Sequence, residues 1–130
     1  MIDLLAHRES FYENAVAIFS LADNGYVEAV VASLSYATTA YILGKVMPAK
    51  SVAETLRLFS SMVEVAAVNE KAVRKAIAEN CRFTDIEDAM QYYTATQASC
   101  DCIITRNKKD FVHSDIPVFT PTEFLAHHQF

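Results

Sequence analysis

The feature that most constrains the fold of this chain is the alternation of short apolar segments with helical segments. The segments YVEAVVAS, MVEVAAV, CDCIIT and IPVFT are short, apolar and rich in β-branched residues, which is typical of buried strands. Helical patterns precede, separate or follow them along the chain. Strands joined by helical crossovers predict an α/β fold with a central parallel sheet and helices on both faces. With 130 residues, 52% of them hydrophobic, we expect one domain spanning residues 1–130.

Capping signals predict where the helices begin. A capping box places Ser or Thr three residues before Glu, so that each side chain satisfies a backbone N–H at the helix start. Such boxes occur at Ser10–Glu13, Ser51–Glu54, Thr84–Glu87 and Thr120–Glu123, the last with Pro121 at the first helical position. Asn69 is a further predicted cap, and Gly25 is expected to end the first of these helices. In EKAVRKAIAEN the predicted buried stripe is Ala72, Val73, Ala76 and Ile77.

The composition excludes several classes of protein. Two glycines leave no Gly-rich phosphate loop, which argues against a dinucleotide-binding or P-loop domain. No apolar run approaches the ~18 residues of a membrane span, and the N-terminus lacks the basic region of a signal peptide. Three cysteines indicate reduced thiols in a cytoplasmic protein. The net charge of −5 means that nucleic acid could bind only at a local basic patch.

Asp85 and Asp88 are the first candidate functional residues. They stand three apart at a predicted helix start, so they share a face of that helix. One interpretation is structural, because acids in a first helical turn are stabilised by the helix dipole by ~0.3–1 kcal/mol each. The other is a metal site, because two carboxylates on one face repel each other unless a cation lies between them. The residues alone leave both interpretations open.

The polar turn TRNKKD follows the predicted strand CDCIIT, and functional residues of open α/β sheets cluster after the strands' carboxyl ends. Asn107 and Asp110 could add oxygen ligands to Asp85 and Asp88, and such a set suits Mg²⁺ or Mn²⁺. A metal there could orient a phosphodiester and activate water. The candidates for binding substrate phosphates are Thr105, Arg106, Lys108 and Lys109. The two lysines could equally be solvated surface residues.

Other residues are weaker candidates. Cys100 and Cys102 lack a second cysteine pair at zinc spacing and are expected to be buried strand residues. The histidines at 127 and 128 are expected to be solvated. Phe83, Tyr92 and Tyr93 are interpreted as core or interface residues rather than a platform for stacking bases.

Together, DIEDAMQYYTA, CDCIITRNKKDF and IPVFTPTEFLA resemble the C-terminal half of a PIN domain, closest to the VapC-like ribonuclease toxins of toxin–antitoxin pairs. The upstream stretch DLLAHRESFYENAVAIFSLADNGYVEAVVAS resembles the first helix and second strand of the same branch. The resemblance implies a three-layer α/β sandwich and an endoribonuclease that depends on Mg²⁺ or Mn²⁺. It also implies a protein that is often dimeric and is inhibited by a cognate antitoxin.

The resemblance also implies roles for individual residues. Asp88 matches the helix-borne metal-binding aspartate, and Asp85 an accompanying acid. Asn107 falls where many members carry a further Asp or Asn, Asp110 is the acid before Phe111, and Thr105 matches a hydroxyl residue near the metal.

Two ligand positions of the family differ in this chain. The resemblance implies a first strand ending in Asp-Thr-Asn before DLLAHRESF, and this sequence starts at Met1, immediately before that stretch. A further acid is expected near Thr38, where Thr38 and Thr39 provide no carboxylate. We therefore expect an N-terminally truncated PIN domain with impaired nuclease activity, through a start codon assigned too late or true degeneration. The alternative is an inactive PIN fold that binds a protein partner or itself.

Overall fold

The computed structural model describes residues 1–128. In it the chain forms two compact units. Unit 1 comprises residues 1–65, and unit 2 begins at residue 66. Helices and short strands alternate in both units, which confirms the mixed α/β class. That residues 1–130 form one domain stays a prediction.

Unit 1 contains four helices and the strand β1. In chain order the elements are α1 (Ile2–Leu5), α2 (Tyr12–Asp23), β1 (Val30–Ala32), α3 (Ser33–Leu43) and α4 (Ala49–Ser60), followed by β2 (Glu64–Ala66), whose last residue begins unit 2. Phe59 of α4 is the centre of the core, with 1% of its surface exposed. Its ring lies 5.1 Å from that of Phe19, edge to face, and 6.2 Å from that of Tyr36. These aromatic contacts join α2, α3 and α4 around one apolar centre.

Unit 2 contains the remaining helices and strands. They are α5 (Glu70–Ile77), α6 (Ile86–Gln97), β3 (Ile103–Ile104), a 3₁₀ helix (Lys108–Phe111), β4 (Val118–Phe119) and α7 (Pro121–His127). Helices α5 and α6 pack against each other, and each contains a fully buried alanine, Ala72 in α5 and Ala89 in α6. Phe111 and Phe124 are also buried, which anchors the 3₁₀ helix and α7 to the same unit.

The strands are shorter than the apolar segments predicted. Within residues 1–128 they form two two-stranded sheets, β1 with β2 and β3 with β4. Strands β3 and β4 are parallel, with Ile103 opposite Val118 and Ile104 opposite Phe119. This pairing brings the turn after β3 next to the start of α7. One continuous central sheet stays a prediction.

Two of the predicted helix ends are confirmed in detail. Gly25 follows the C-cap of α2 with φ +79°, and the N–H groups of Gly25 and Tyr26 donate to the carbonyls of Ala22 and Leu21. This is the Schellman arrangement, which glycine favours because it has no Cβ. Asn69 caps α5, since its side chain accepts from the N–H of Ala72 at 3.0 Å.

Three of the predicted capping boxes are wrong. Helix α2 is preceded by Phe11, and Ser10 has a φ of +73°, so its hydroxyl does not cap the helix. Ser51 lies inside α4, because that helix begins directly after Pro48. Asp85 rather than Thr84 is the N-cap of α6. Asp and Ser are stronger caps than Thr, so a neighbouring aspartate displaces the cap by one residue. Only the box at Thr120 and Glu123 forms as predicted.

The predicted stripe of α5 is confirmed in part. Ala72 and Ala76 are buried, with 0% and 5% of their surfaces exposed. Ile77 is 60% exposed and is therefore not part of the core. It is the last residue of the helix, so the chain turns away before the residue can pack. Among residues 1–128, no helix combines the length and the apolarity needed to cross a bilayer.

Candidate functional site

Asp85 and Asp88 lie at the N-terminus of α6 and have different surroundings. Oδ1 of Asp85 accepts a hydrogen bond from the N–H of Asp88 at 2.9 Å, which fixes Asp85 as the helix cap. Asp85 is exposed, whereas Asp88 is half-buried against the body of unit 2. The capping role is therefore confirmed for Asp85, and one of its oxygens remains available beside Asp88.

The carboxyl of Asp88 is the most perturbed acid described in the molecule. Burial, together with the negative charges of Asp85, Asp110 and Glu87, raises its pKa from 3.8 to about 6, and burial is the largest cause. Burial removes water that would solvate the anion, and nearby carboxylates repel it. The helix dipole favours a carboxylate at this position, but its effect is outweighed. The site is one where a cation would relieve an existing electrostatic cost.

The 3₁₀ helix brings Asp110 towards this pair, from a segment more than twenty positions further along the chain. The buried ring of Phe111 holds the segment against α6, with its centroid 6.0 Å from that of Phe83. After the 3₁₀ helix, the N–H of Asp115 donates to the hydroxyl of Tyr92 at 3.1 Å. These two contacts set where Asp110 lies relative to Asp88.

The turn before the 3₁₀ helix is held by its own hydrogen bonds. The N–H of Thr105 donates to the carbonyl of Phe119 at 2.9 Å, which anchors the turn to β4. The Thr105 hydroxyl accepts from the N–H of Asn107 at 3.1 Å, and the Asn107 carbonyl accepts from the N–H of Asp110 at 2.9 Å. Thr105 and Asn107 therefore shape the loop that carries Asp110. Their proposed roles toward substrate and metal stay predictions.

The basic residues of the turn differ in their partners. Nζ of Lys108 lies 3.1 and 3.2 Å from the two carboxylate oxygens of Glu123 at the start of α7. Lys108 is therefore neither an isolated surface lysine nor a free phosphate ligand in this conformation. Arg106 and Lys109 are exposed on the same segment. Lys108 and Lys109 line an open groove of about 450 Å³ whose floor includes Phe111, Ile116 and Val118.

The donor set of this site suits a hard cation in type but is short in number. Carboxylate oxygens are the ligands that Mg²⁺ and Mn²⁺ prefer. Across residues 1–128, however, no three acidic, histidine or cysteine side chains come together in a group that could hold a metal ion. A metal site at Asp88 and its neighbours therefore stays a prediction.

The α3 positions where the family resemblance expects an acid are threonines. Thr39 is 1% exposed, and its hydroxyl is a buried group without a hydrogen-bond partner. Thr38 is half-buried. Neither residue supplies a carboxylate, as the sequence indicates.

Sequence reasoning missed a second cavity in unit 2, which we name the aromatic pocket. Its volume is about 100 Å³, and it lies over Tyr92, lined by Asn80, Arg82, Phe83, Tyr93, His113 and Asp115. Tyr92 is buried as predicted, but Phe83 and Tyr93 are only half-buried. Burial raises the pKa of Tyr93, and a hydrogen bond with Cys81 adds to this. No single sequence motif could have revealed the pocket, because its residues come from three separate segments.

The remaining weak candidates contribute little to this site. Within residues 1–128, Cys81, Cys100 and Cys102 form no disulfide and are half-buried. Burial raises the pKa of Cys102, which makes it a poor thiolate. Cys100 and Cys102 precede β3 rather than lying in it, so the prediction of buried strand cysteines is wrong. His128 is also not simply solvated, because its ring stacks on Phe124 at 4.2 Å.

Comparison with known proteins identifies what this chain is similar to. The model of the PIN domain family matches residues 1–109. The chain is 25% identical over 127 residues to Ribonuclease VapC1 of Aquifex aeolicus (strain VF5), and the match covers 95% of this chain and 87% of that protein. No solved structure matches the chain significantly.

Proposed function

This chain belongs to the PIN domain family, and from that premise we propose that it is a VapC-like ribonuclease with an incomplete metal site. The observation that carries the proposal is the carboxylate cluster around Asp88, whose pKa is raised to about 6. Perturbed acids of this kind concentrate at catalytic sites. The similarity to a protein named a ribonuclease supports phosphodiester hydrolysis in RNA as the reaction.

Four residues would hold the metal. Asp88 is the main ligand, Asp85 offers the oxygen that does not cap α6, and Asp110 and Asn107 approach from the segment after β3. A bound Mg²⁺ or Mn²⁺ would lower the pKa of a coordinated water and neutralise charge on the scissile phosphate. Asp88 and Asp85 are the proposed catalytic residues, because as ligands they would hold the metal and its water beside the scissile phosphate.

The basic segment would bind the RNA backbone. Arg106 and Lys109 are exposed and carry the charge that phosphate oxygens need in an acidic protein. Lys108 reaches phosphate only by leaving Glu123, so its contribution is reduced by the pair it already forms. Thr105 supplies a hydroxyl beside them while its backbone stays bound to β4.

We propose that activity is impaired in this chain. Losing one ligand-supporting partner of a metal commonly lowers affinity or activity by ~10–100-fold. The threonines at 38 and 39 stand where an acid is expected, and residues 1–128 provide no group of three metal-binding side chains. The proposal includes the family's three-layer sandwich. It also includes a cognate antitoxin, self-association and a cytoplasmic location.

Cleavage of single-stranded RNA tests the proposal. With nuclease-free protein and millimolar Mn²⁺ or Mg²⁺, we expect slow cleavage that EDTA abolishes and that Asp88→Asn removes. Asp101→Asn is the matched control, because Asp101 is an exposed aspartate of unit 2 outside the cluster. Equal cleavage by wild type and Asp88→Asn would contradict the assignment. No cleavage at any metal concentration would leave the alternative below.

The second candidate function is a catalytically inactive interaction module. Unit 1 exposes large apolar side chains, with Tyr41 70%, Leu58 74% and Val46 77% exposed. Exposed apolar residues of this size can mark a binding surface. The module predicts oligomers without metal, dissociated by Leu58→Asp in light scattering, and no rise in melting temperature with Mn²⁺. A Mn²⁺-dependent rise that disappears in Asp88→Asn argues against it.

A further inference from the structure

We propose that the aromatic pocket of unit 2 binds one unpaired base of a single-stranded RNA. The proposal rests on the ribonuclease function above and deepens it by assigning the substrate's base a place separate from the carboxylates. It also reverses the interpretation of Phe83 and Tyr93 as core or interface residues. Three observations carry it: the aromatic lining, the local charge and the position relative to Asp88.

The lining provides planar surfaces. Phe83 lies at the centre of the ring cluster, 4.8 Å from Tyr92, 6.3 Å from Tyr93 and 6.4 Å from His113. Tyr92 is buried beneath, whereas Phe83 and Tyr93 keep part of their rings exposed to the pocket. Bases of single-stranded nucleic acids stack on such rings regardless of sequence. A volume of about 100 Å³ suits one planar heterocycle and is too small for a base pair.

The charge around the pocket favours RNA. Arg82 lines it, and Nζ of Lys75 lies 5.6 Å from the centroid of the Tyr93 ring. Both cations lie near Tyr93, where they supply positive charge in a chain of net charge −5. Asn80 and Asp115 add hydrogen-bonding groups, which a purely apolar core would not contain. The backbone of Asp115 is fixed by its bond to Tyr92, so the wall it forms is preorganised.

The pocket lies close to the carboxylates. Tyr92 follows Asp88 by four residues on α6, so the two share one helix face. Phe83 stands two residues before Asp85, the cap of the same helix. A base held in the pocket would therefore keep the neighbouring phosphodiester near the N-terminus of α6. The pocket would act in positioning RNA, while the carboxylates act in the chemistry.

Photochemical crosslinking tests the pocket without altering the protein. The probe is a short fluorescein-labelled single-stranded RNA with one 5-iodouridine, bound in EDTA so that no cleavage occurs. Irradiation joins iodouridine to an adjacent aromatic side chain. We expect the crosslink at Phe83, Tyr93 or His113 by peptide mass spectrometry. Crosslinks confined to the segment 105–110, or to unit 1, would overturn the proposal.

Binding of the same probe to variants gives an independent readout. Phe83→Leu keeps the apolar volume but removes the flat ring, and we expect its Kd to rise by about tenfold. Phe119→Leu removes a half-buried ring outside the pocket and should leave Kd unchanged. Circular dichroism confirms that both variants fold. Equal Kd values for wild type and folded Phe83→Leu would contradict base stacking.

A second variant pair tests the charge, because Phe83→Leu could disturb the ring cluster. In Arg82→Gln, the slope of log Kd against log salt should fall by about 0.7, the value for one phosphate contact of a single strand. Arg57→Gln makes the same change at an exposed site outside the pocket and should not alter the slope. Duplex RNA should compete poorly, since its bases are paired. Equal competition by duplex would exclude a base pocket.

The outcomes separate this inference from the proposed function. Crosslinking in the pocket together with absent cleavage supports the pocket and counts against the nuclease. Metal-dependent cleavage lost in Asp88→Asn, with crosslinks elsewhere, supports the nuclease and overturns the pocket.

Discussion

Helices α6 and α7 of unit 2 begin with the same pattern, Thr-x-x-Glu, yet the two N-termini differ in structure and charge. At α7, the Thr120 hydroxyl accepts from the N–H of Glu123, and Oε1 of Glu123 accepts from the N–H of Thr120 at 2.9 Å. At α6, Asp85 takes the cap position and Thr84 does not. At α7, Thr120 and Glu123 therefore bond to each other's backbone N–H groups. The N-terminus of α6 lacks this reciprocal pair and presents acids to its surroundings.

The carboxyls of the two helix starts titrate in opposite directions. The hydrogen bond from the Thr120 backbone, assisted by Lys108, holds the pKa of Glu123 below its usual range. Burial and neighbouring acids raise the pKa of Asp88 to about 6. A capping acid that is satisfied locally stabilises its helix, whereas an acid that is desolvated among other acids costs stability. At α6, therefore, Asp85 stabilises the helix as its cap, whereas Asp88 costs stability, which supports the proposed role of Asp88 in binding a cation.

The largest expected effect is on the free energy of unfolding, and it distinguishes the threonine at the start of α7 from the threonine at the start of α6. Thr120→Ala should lower the free energy of unfolding by about 1 kcal/mol, within the ~0.5–2 kcal/mol range measured for lost N-caps. Thr84→Ala should change it little, because Asp85 caps α6. Urea unfolding followed by circular dichroism measures both. A loss for Thr84→Ala as large as that for Thr120→Ala would remove the distinction.

The second effect concerns the acid itself. Asp88→Asn should raise the free energy of unfolding at pH 7 by about 1 kcal/mol or less, after discounting the pKa shift for partial exposure. The folded pKa, about 6, exceeds the usual value of 3.8, so the folded state binds more protons between these values. Wild-type stability should therefore fall as pH rises from 4 to 6, relative to Asp88→Asn. Parallel stability curves for the two proteins across this window would show that folding does not raise the pKa of Asp88.

A third change tests how much of the pKa shift comes from Asp85. Asp85→Ser keeps a good cap but removes the charge, so the pKa of Asp88 should fall below 6 and remain above 3.8. It should remain raised because burial is its largest cause. Carboxyl carbon NMR titration measures it, with Asp101→Ser as the matched control. An unchanged Asp88 pKa would assign the whole shift to burial and the other acids.

The smallest effect is expected at the contact between the 3₁₀ helix and α7. Lys108→Gln removes the ion pair with Glu123, whose groups are 49% and 38% exposed, and exposed pairs contribute little. The pKa of Glu123 should rise slightly and stay below its usual range, because the backbone bond from Thr120 remains. NMR titration of Glu123 measures this. If the pKa of Glu123 instead returned to its usual value, Lys108 would be the main cause of the lowered pKa.

The sequence predicted local features well where one short segment contains all the interacting groups. Asn69 caps α5, Gly25 ends α2 and Thr120 starts α7, each through hydrogen bonds to residues within a few positions. Errors arose where two local solutions compete, as between Thr84 and Asp85. The pattern of Ser51 and Glu54 was overridden by Pro48, which begins α4 earlier.

The candidate site was predicted less completely than the helices. Asp85 and Asp88 were identified because they are close in sequence, and Asp110 because it follows a predicted strand. The partner of Lys108 was not predictable, since Glu123 belongs to a helix fifteen positions away. The aromatic pocket was also missed, because it combines the loop before α6, α6 itself and the segment after the 3₁₀ helix.

The sequence by itself determined the order of helices and strands, the helix ends at Asn69, Gly25 and Thr120, and the identity of the acids at α6. These features depend on periodicity and on hydrogen bonds between near neighbours, which the residue types specify. Only the tertiary structure decided which acid is desolvated, which lysine is paired and where rings surround a cavity. Desolvation and Coulomb energy depend on separation in space, and packing brings together residues that are far apart along the chain. Asp88 illustrates both contributions: the local sequence sets its position in α6, whereas tertiary packing raises its pKa to about 6.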